Sequence, residues 1–581
     1  MKRPAPAGLA ARDAAPASTP GVPAFRYVAG KVGARNGRII GMQMATESFF
    51  EAFIRRIAPS VLTIYGQRPD DFTEAITHVA ELGFDAGQVR RLKLEEEAAL
   101  AVCGSILMND PGMLLEGAGR KNPRAFSLIG MTHSLSSYRS WREIFSYGAA
   151  PLQPWDALVC TSTAARNVVD ALMDNADEEL RAAGHAGPAP RPALPIIPLG
   201  IDAVGLAPDA SARARWRTRL GMRDDDVVVL FVGRLSFHAK AHPVAMFRSV
   251  AAAARDLPDG KRLRLALLGA AHNESIDKVF REAAAAHAPG VTVDFLAGPT
   301  AADRSEALSG ADLFISLADS VQETFGLSPV EAMAAGLPVV VTDWNGYRDT
   351  VRHEVDGFRV PTVMAPPAAF TPSMLNDFAD QKLTYDRFCA LMGQLVAVDE
   401  RATAAAIRTL AVDAGRRRSM GQAAMQGARD RFDWAAVMEA HRLLWRDLAE
   451  VRQRAPIASP VAALRKLKPT INPLVLFGRF PTAILAQTDR LTIADPDVVA
   501  ARAAISRLEA EPTFNHVLSI VSSQPELLAA FDRIAEKPGT TVDELVRAVP
   551  LDRRRRLVRG LLLLAKRGLI EWRARVERPM A

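Results

Sequence analysis

Between residues 227 and 341 the chain carries five short, almost uninterrupted apolar runs, at 227–233, 263–269, 291–295, 313–316 and 338–341. A longer amphipathic segment follows each of the first four. A strand with one wet face alternates polar and apolar residues, so continuous Val/Leu/Ile runs of this length indicate strands covered on both faces. Strands of that kind separated by helices make a parallel, doubly wound sheet. A weaker version of the pattern precedes it. Phe49, Phe50, Phe53, Ile54 and Ile57 recur at helical spacing, and short apolar runs stand at 61–65, 125–130, 157–160 and 194–198. The expectation is an α/β protein with two Rossmann-like domains facing a cleft, hinged within 201–226.

The chain has 581 residues, so two such domains leave a remainder. After about residue 365 the pattern turns helical and ends in a long helix at 434–450. A Pro-bearing basic stretch at 455–481 then sets off a last unit. It contains helices at 527–535, 542–549 and 557–566 and a strand at 568–572. Three short helices and a strand suggest a winged-helix-like module. The expected division is a disordered basic tail at 1–36, an N-terminal Rossmann-like domain at 37–205 completed by the 434–450 helix, a second at 206–433, a linker at 451–490, and the small mainly α module at 491–581.

Seventy-two Lys and Arg against 65 Asp and Glu give a net charge of +7 and a pI near 9.4, a balance that invites a polyanion partner. Six of those seven charges fall in residues 1–40, where Lys2, Arg3, Arg12, Arg26, Lys31, Arg35 and Arg38 face only Asp13. Residues 1–36 are rich in Ala, Pro and Gly and short of large apolar side chains, which is why they are expected to stay unfolded. The 491–581 module has 15 basic and 12 acidic side chains, modest for a nucleic-acid binder despite Arg553-Arg554-Arg555-Arg556. Protein interaction or homodimerisation is expected of it ahead of nucleic-acid binding, and the tail leaves peripheral contact with a membrane surface open. No apolar stretch of 18 residues and no secretory leader is seen, so a cytoplasmic location is expected. Cys103, Cys160 and Cys389 fit no disulfide or zinc framework.

The richest segment is Gln322-Glu323-Thr324-Phe325-Gly326-Leu327-Ser328-Pro329-Val330-Glu331-Ala332-Met333-Ala334-Ala335-Gly336-Leu337-Pro338. Two carboxylates lie eight residues apart, one in a loop and one in a helix that opens near Phe325-Gly326-Leu327. A helix N-terminus offers free N–H groups to phosphate, and carboxylates accept hydrogen bonds from sugar hydroxyls. The string resembles the E-x7-E signature of the retaining family 4 glycosyltransferases (glycosyl transferases group 1), which have the GT-B fold. Phe231-Val232-Gly233-Arg234-Leu235-Ser236 with Lys240 resembles the same family's G-R-L-S…K element. Pro198-Leu199-Gly200-Ile201-Asp202, Asp343-Trp344-Asn345-Gly346-Tyr347-Arg348-Asp349 and Asp356-Gly357-Phe358 resemble other elements of the family. Thr132-His133-Ser134-Leu135 resembles its histidine turn. The likeness runs from about Arg38 to Glu450 and is strongest between Val227 and Val360.

The resemblance implies a retaining, metal-independent hexosyltransferase moving a sugar from a nucleotide-diphosphate sugar, UDP- or GDP-linked by expectation, to a glycan, lipid or small-molecule acceptor. It implies catalytic roles for Glu323, His133, Arg234 and Lys240. The donor would be held by Gly233, Arg234, Lys240, Glu323, Phe325, Gly326, Leu327 and Glu331, with Arg234 and Lys240 on the diphosphate, Glu331 on the ribose and Glu323 on the sugar. No cofactor or metal is implied. His238 and His242 have i,i+4 spacing without a third ligand, so zinc is not expected. Asp224-Asp225-Asp226 precedes a strand, unlike the metal-binding motif of GT-A enzymes. The alternative is a catalytically weak GT-B scaffold regulating through DNA or protein binding by its C-terminal module.

Overall fold

The computed structural model describes residues 18–32, 41–237, 240–296 and 300–573. Its framework is two six-stranded, all-parallel sheets. The first runs β3-β2-β1-β4-β5-β6, with β1 Ala24–Arg26, β2 Leu62–Tyr65, β3 Val89–Leu92, β4 Ser105–Leu107, β5 Ser127–Met131 and β6 Ala157–Val159. The second runs β12-β11-β10-β7-β8-β9, with β7 Asp226–Val232, β8 Arg262–Leu268, β9 Thr292–Leu296, β10 Leu313–Ser316, β11 Val339–Thr342 and β12 Gly357–Val360. Counted from the first strand of each, the two orders are the same, and helices separate most successive strands. This is the α/β arrangement that the GT-B resemblance implies. Residues of β7, β10 and β11 are buried throughout, which is why they read as continuous apolar runs.

Two of the expectations need correction. The stretch expected to be an unfolded tail contains β1, the strand joining β2 and β4 in the first sheet. Residues 1–17 and 33–40 lie outside the described residues, but Phe25 and Tyr27 are fully buried, Phe25 against Phe50 with ring centroids 4.6 Å apart. Phe25 in the strand and Tyr27 just after it bury aromatic area in a segment that by composition is short of large apolar side chains. The run at 194–198 is not a full strand. It meets the β6 edge through isolated bridges such as Cys160 to Ile196, because Pro195 and Pro198 have no N–H to give a ladder.

The helix Trp434–Arg454 returns from the second sheet to the first. Trp434 donates to Ser48 Oγ at 3.0 Å and faces the Cα of Gly200, where a Cβ would lie 2.3 Å from the indole. Residues 455–490 form a packed strap. Leu464 is buried with Phe145, Leu180 and Ala189 on the first domain. Phe480 packs on Trp344 of the second, and β15 Ala483–Ile484 pairs with β13 Thr362–Met364, whose other neighbour is β14 Val396–Val398. The 491–573 region adds helices at Val498–Ser506, Gln524–Glu536, Val542–Arg547 and Arg554–Lys566 beside a small sheet of β17 Thr540–Thr541, β16 Arg490–Ile493 and β18 Ile570–Arg573. The helix Arg554–Lys566, the one a DNA reader would place in the groove, has Leu557, Arg559 and every residue from Gly560 to Lys566 buried. From Arg559 to Lys566 it packs on β14 and the second domain, and its first turn is exposed. No helix among the described residues is long and apolar enough to cross a membrane.

Candidate active site

The carboxyl ends of the two sheets meet around the loop from Asp319 to Gly326. Gly326 sits at φ 95°, where an L-residue is strained, and a Cβ there would lie 2.1 Å from the Tyr347 ring. That turn lets the helix Leu327–Ala334 begin directly after Glu323 and Thr324. Three bonds tie the sheets together here. Ser162 Oγ, at the N-cap of the helix after β6, donates to Thr324 O at 2.7 Å. Thr324 Oγ1 donates to His133 O at 3.0 Å. Thr163 N donates to Asp349 Oδ2 at 2.5 Å.

On this frame the structure places Glu323 beside Lys240, with Nζ to Oε2 at 3.2 Å. Burial pushes the Glu323 carboxyl up, but the Lys240 ammonium and the backbone N–H groups of Phe325 and Thr324 outweigh it and hold the group below the ordinary value. Of the amides expected to cradle phosphate, the Phe325 N–H is therefore directed at Glu323. Glu331, one turn into the helix, pairs with Arg304 Nη1 at 3.1 Å, and its burial raises its pKa against that cation. Arg234 is exposed past the end of β7 and has no ion pair among the described residues. Gly233 and Gly269 close the gap between β7 and β8, where a Cβ on Gly269 would lie 1.8 Å from Gly233 O.

His133 follows β5, just past its end. It is buried, desolvation lowers its pKa, and its Nε2 has no hydrogen-bond partner. Neutral imidazole with one unengaged nitrogen can accept from or donate to a hydroxyl. Next to it, Ser134 and Ser136 hold the Tyr385 hydroxyl at 3.0 and 2.8 Å, and Tyr385 belongs to an insertion between β13 and β14. Phe378 and Phe388 of the same insertion pack on Trp141 of the first domain. Glu323 is thus paired with Lys240, Thr324 beside it is tied to the backbone of His133, Arg234 is exposed, and Glu331 is engaged with Arg304.

Arg304, Thr324 and Ser162 were not singled out by sequence. Ser162-Thr163 after an apolar run carries an N-cap signal that could have marked the start of that helix. Arg304 carries no local signal, since its partner is 27 residues away. His242 lies against the C-terminal region, its Nε2 3.2 Å from Thr513 O, while His238 lies outside the described residues. Among the described residues, Glu47, Glu51 and His78 have potential ligand atoms within 4.8 Å of one another, and His78 Nδ1 is hydrogen-bonded to the Tyr27 hydroxyl at 3.2 Å.

Residues 212–368 match the model of the family described as Glycosyl transferases group 1. The chain is 30% identical over 299 residues to a D-inositol 3-phosphate glycosyltransferase of Kineococcus radiotolerans, covering 50% of this chain and 60% of that protein. It is 32% identical over 194 residues to the protein of the same name from Geodermatophilus obscurus, covering 33% of this chain and 42% of that one. The chain thus spans about half the length of these curated relatives. Among solved structures, Anabaena Alr3699/HepE in complex with UDP and glucose aligns at 16% identity and TM-score 0.46, covering 73% of this chain and 98% of that chain.

Proposed function

We propose that this protein, whose residues 212–368 match the family Glycosyl transferases group 1, transfers a sugar from a nucleotide-diphosphate sugar to an acceptor with retention of anomeric configuration. The observation that carries the proposal is the Glu323–Lys240 pair, held where the two sheets meet and linked through Thr324 to the backbone of His133. In the proposed reaction the bond from the anomeric carbon to the diphosphate oxygen breaks and a bond to the acceptor oxygen forms. The acceptor proton passes to the departing phosphate. Negative charge develops on that diphosphate, and Arg234 and Lys240 are the preorganised cations that stabilise it. Glu323 then accepts hydrogen bonds from the sugar, and His133 Nε2 meets a sugar or acceptor hydroxyl. Glu331 binds the ribose once its pairing with Arg304 opens or is shared.

A UDP- or GDP-linked hexose is the proposed donor, and the arginine and lysine charges take the place a metal would fill. Incubating the protein with UDP-, GDP- and ADP-sugars, with and without chelator, and following free nucleotide tests this directly. Release from one donor, unaffected by chelator, is expected. NMR of the product should show the donor's anomeric configuration. Release from none of the donors, or an inverted product, would sink the proposal. The alternative of a DNA-reading scaffold needs the helix Arg554–Lys566 free to enter a groove; only its first turn, with Arg555 and Arg556, is exposed, and from Gly560 to Lys566 it is buried.

A further inference from the structure

The C-terminal region reaches the base of the Glu323 loop through a buried side chain. Lys566, at the end of the helix Arg554–Lys566, is only 4% exposed and pairs closely with the Oδ2 of Asp319, itself 4% exposed. The same ammonium donates to Gly393 O at 2.7 Å and Val396 O at 3.1 Å. Three donors meet three acceptors, so the group is saturated in a geometry that a planar guanidinium would not reproduce. A buried ion pair adds little stability over a well-packed apolar pair of the same volume, so what it can contribute here is relative position.

What it fixes is the base of the loop that carries Glu323. Asp319 lies four residues before Glu323, and its other oxygen accepts from the backbone N–H of His242 at 3.3 Å, two residues after Lys240. The C-terminal region also grips this second strand of chain directly. Thr513 O lies 3.2 Å from His242 Nε2, and the Phe514 ring centroid is 4.6 Å from the imidazole. Lys240 and Glu323 thus stand on two loops, both anchored to Asp319, and Asp319 is anchored by a residue more than 240 positions away.

We propose that Lys566 is a positioning residue for the Glu323–Lys240 pair, making the C-terminal region a structural component of the donor site. The turnover part of its test rests on the proposed glycosyltransferase function, but the positioning part does not. In the full-length chain, Lys566→Met removes the ammonium at similar volume, and the double variant Asp319→Asn/Lys566→Met removes both charges so that no lone carboxylate stays buried. Backbone hydrogen exchange of the ligand-free proteins is read at residues 319–325 and 240–242, with β5 and residues 557–565 as references. Exchange in the two loops should rise on the order of 10-fold or more in both variants while the references hold. With a donor that wild type turns over, kcat should fall on the order of 10-fold or more with KM for that donor nearly unchanged. Unchanged loop exchange would overturn the proposal, as would acceleration spread evenly through the chain in both variants, which is the mark of a purely structural pair. Should wild type release no nucleotide, only the reaction is rejected, and the exchange pattern alone decides the role of Lys566.

Discussion

The two parallel sheets share a strand order and each sets an arginine at the carboxyl end of its first strand, yet the two arginines are treated differently. Arg26 ends β1, is buried, and pairs with the fully buried Asp71 at 3.2 Å and with Glu116 at 3.4 Å. Arg234 follows β7, is exposed, and has no ion pair among the described residues. The same place in the same topology, where open α/β sheets bind ligands, holds a neutralised cation in one half and a free one in the other. The first sheet adds neutral groups at its edge, His133, Ser134 and Ser136, while the second adds Lys240, Glu323 and Glu331. Under the proposed function, Arg234, unpaired among the described residues, is the charge that would draw a diphosphate to the second half.

The largest effect that would break this contrast is on stability. Arg26→Ala leaves Asp71 buried without its guanidinium from β1, and should lower the unfolding free energy by about 3 kcal/mol. Urea denaturation measures this, and a loss below about 0.5 kcal/mol would show that β1 is not tied in through the pair. Arg234→Ala should do the reverse. Its denaturation midpoint should stay with wild type, while nucleotide release should fall on the order of 10²-fold as one preorganised charge is lost. If Arg234→Ala also lowered stability, or left release intact, the free arginine of the second sheet would have no special function.

Why the first half was harder to foresee follows from the same contrast. Strands β7, β8, β10 and β11 are covered on both faces within one stretch of chain and show it as Val/Leu/Ile runs. β1 is three residues long, contains a charged side chain and is flanked by Pro23 and Gly30, so its burial depends on β2 and β4, which are far away in sequence. Lys240, Glu323 and His133 can be named as candidates from the chain alone because the motifs that hold them are local. The pairing of Glu331 with Arg304 and of Asp319 with Lys566 cannot, since a salt bridge between distant residues leaves no periodicity. The pattern at 557–566 predicts a helix, but its four consecutive leucines at 561–564 are buried in contacts that no local pattern names.

The smallest effect sharpens the account of the internal pair, through its pH dependence. Burial pushes the Asp71 carboxyl up, but the N–H groups of Ala29, Gln67 and Arg68 and the Arg68 guanidinium prevail and hold its pKa at about 2, against 3.8 for the ordinary group. A depressed carboxyl pKa contributes stability that is complete above the unfolded value and is lost as pH falls toward the folded one. The contribution is about 2 kcal/mol near neutrality. Asp71→Asn cannot titrate, so its stability deficit relative to wild type should be constant from pH 7 to about 5, and should narrow by about 1 kcal/mol at pH 3. The comparison is made between the two proteins at each pH, because other acids unfold both alike. A deficit of the same size at pH 3 as at pH 7 would mean that Asp71 is held as a neutral hydrogen-bonding group, and Arg26 would then lack the buried anion that sets it apart from Arg234.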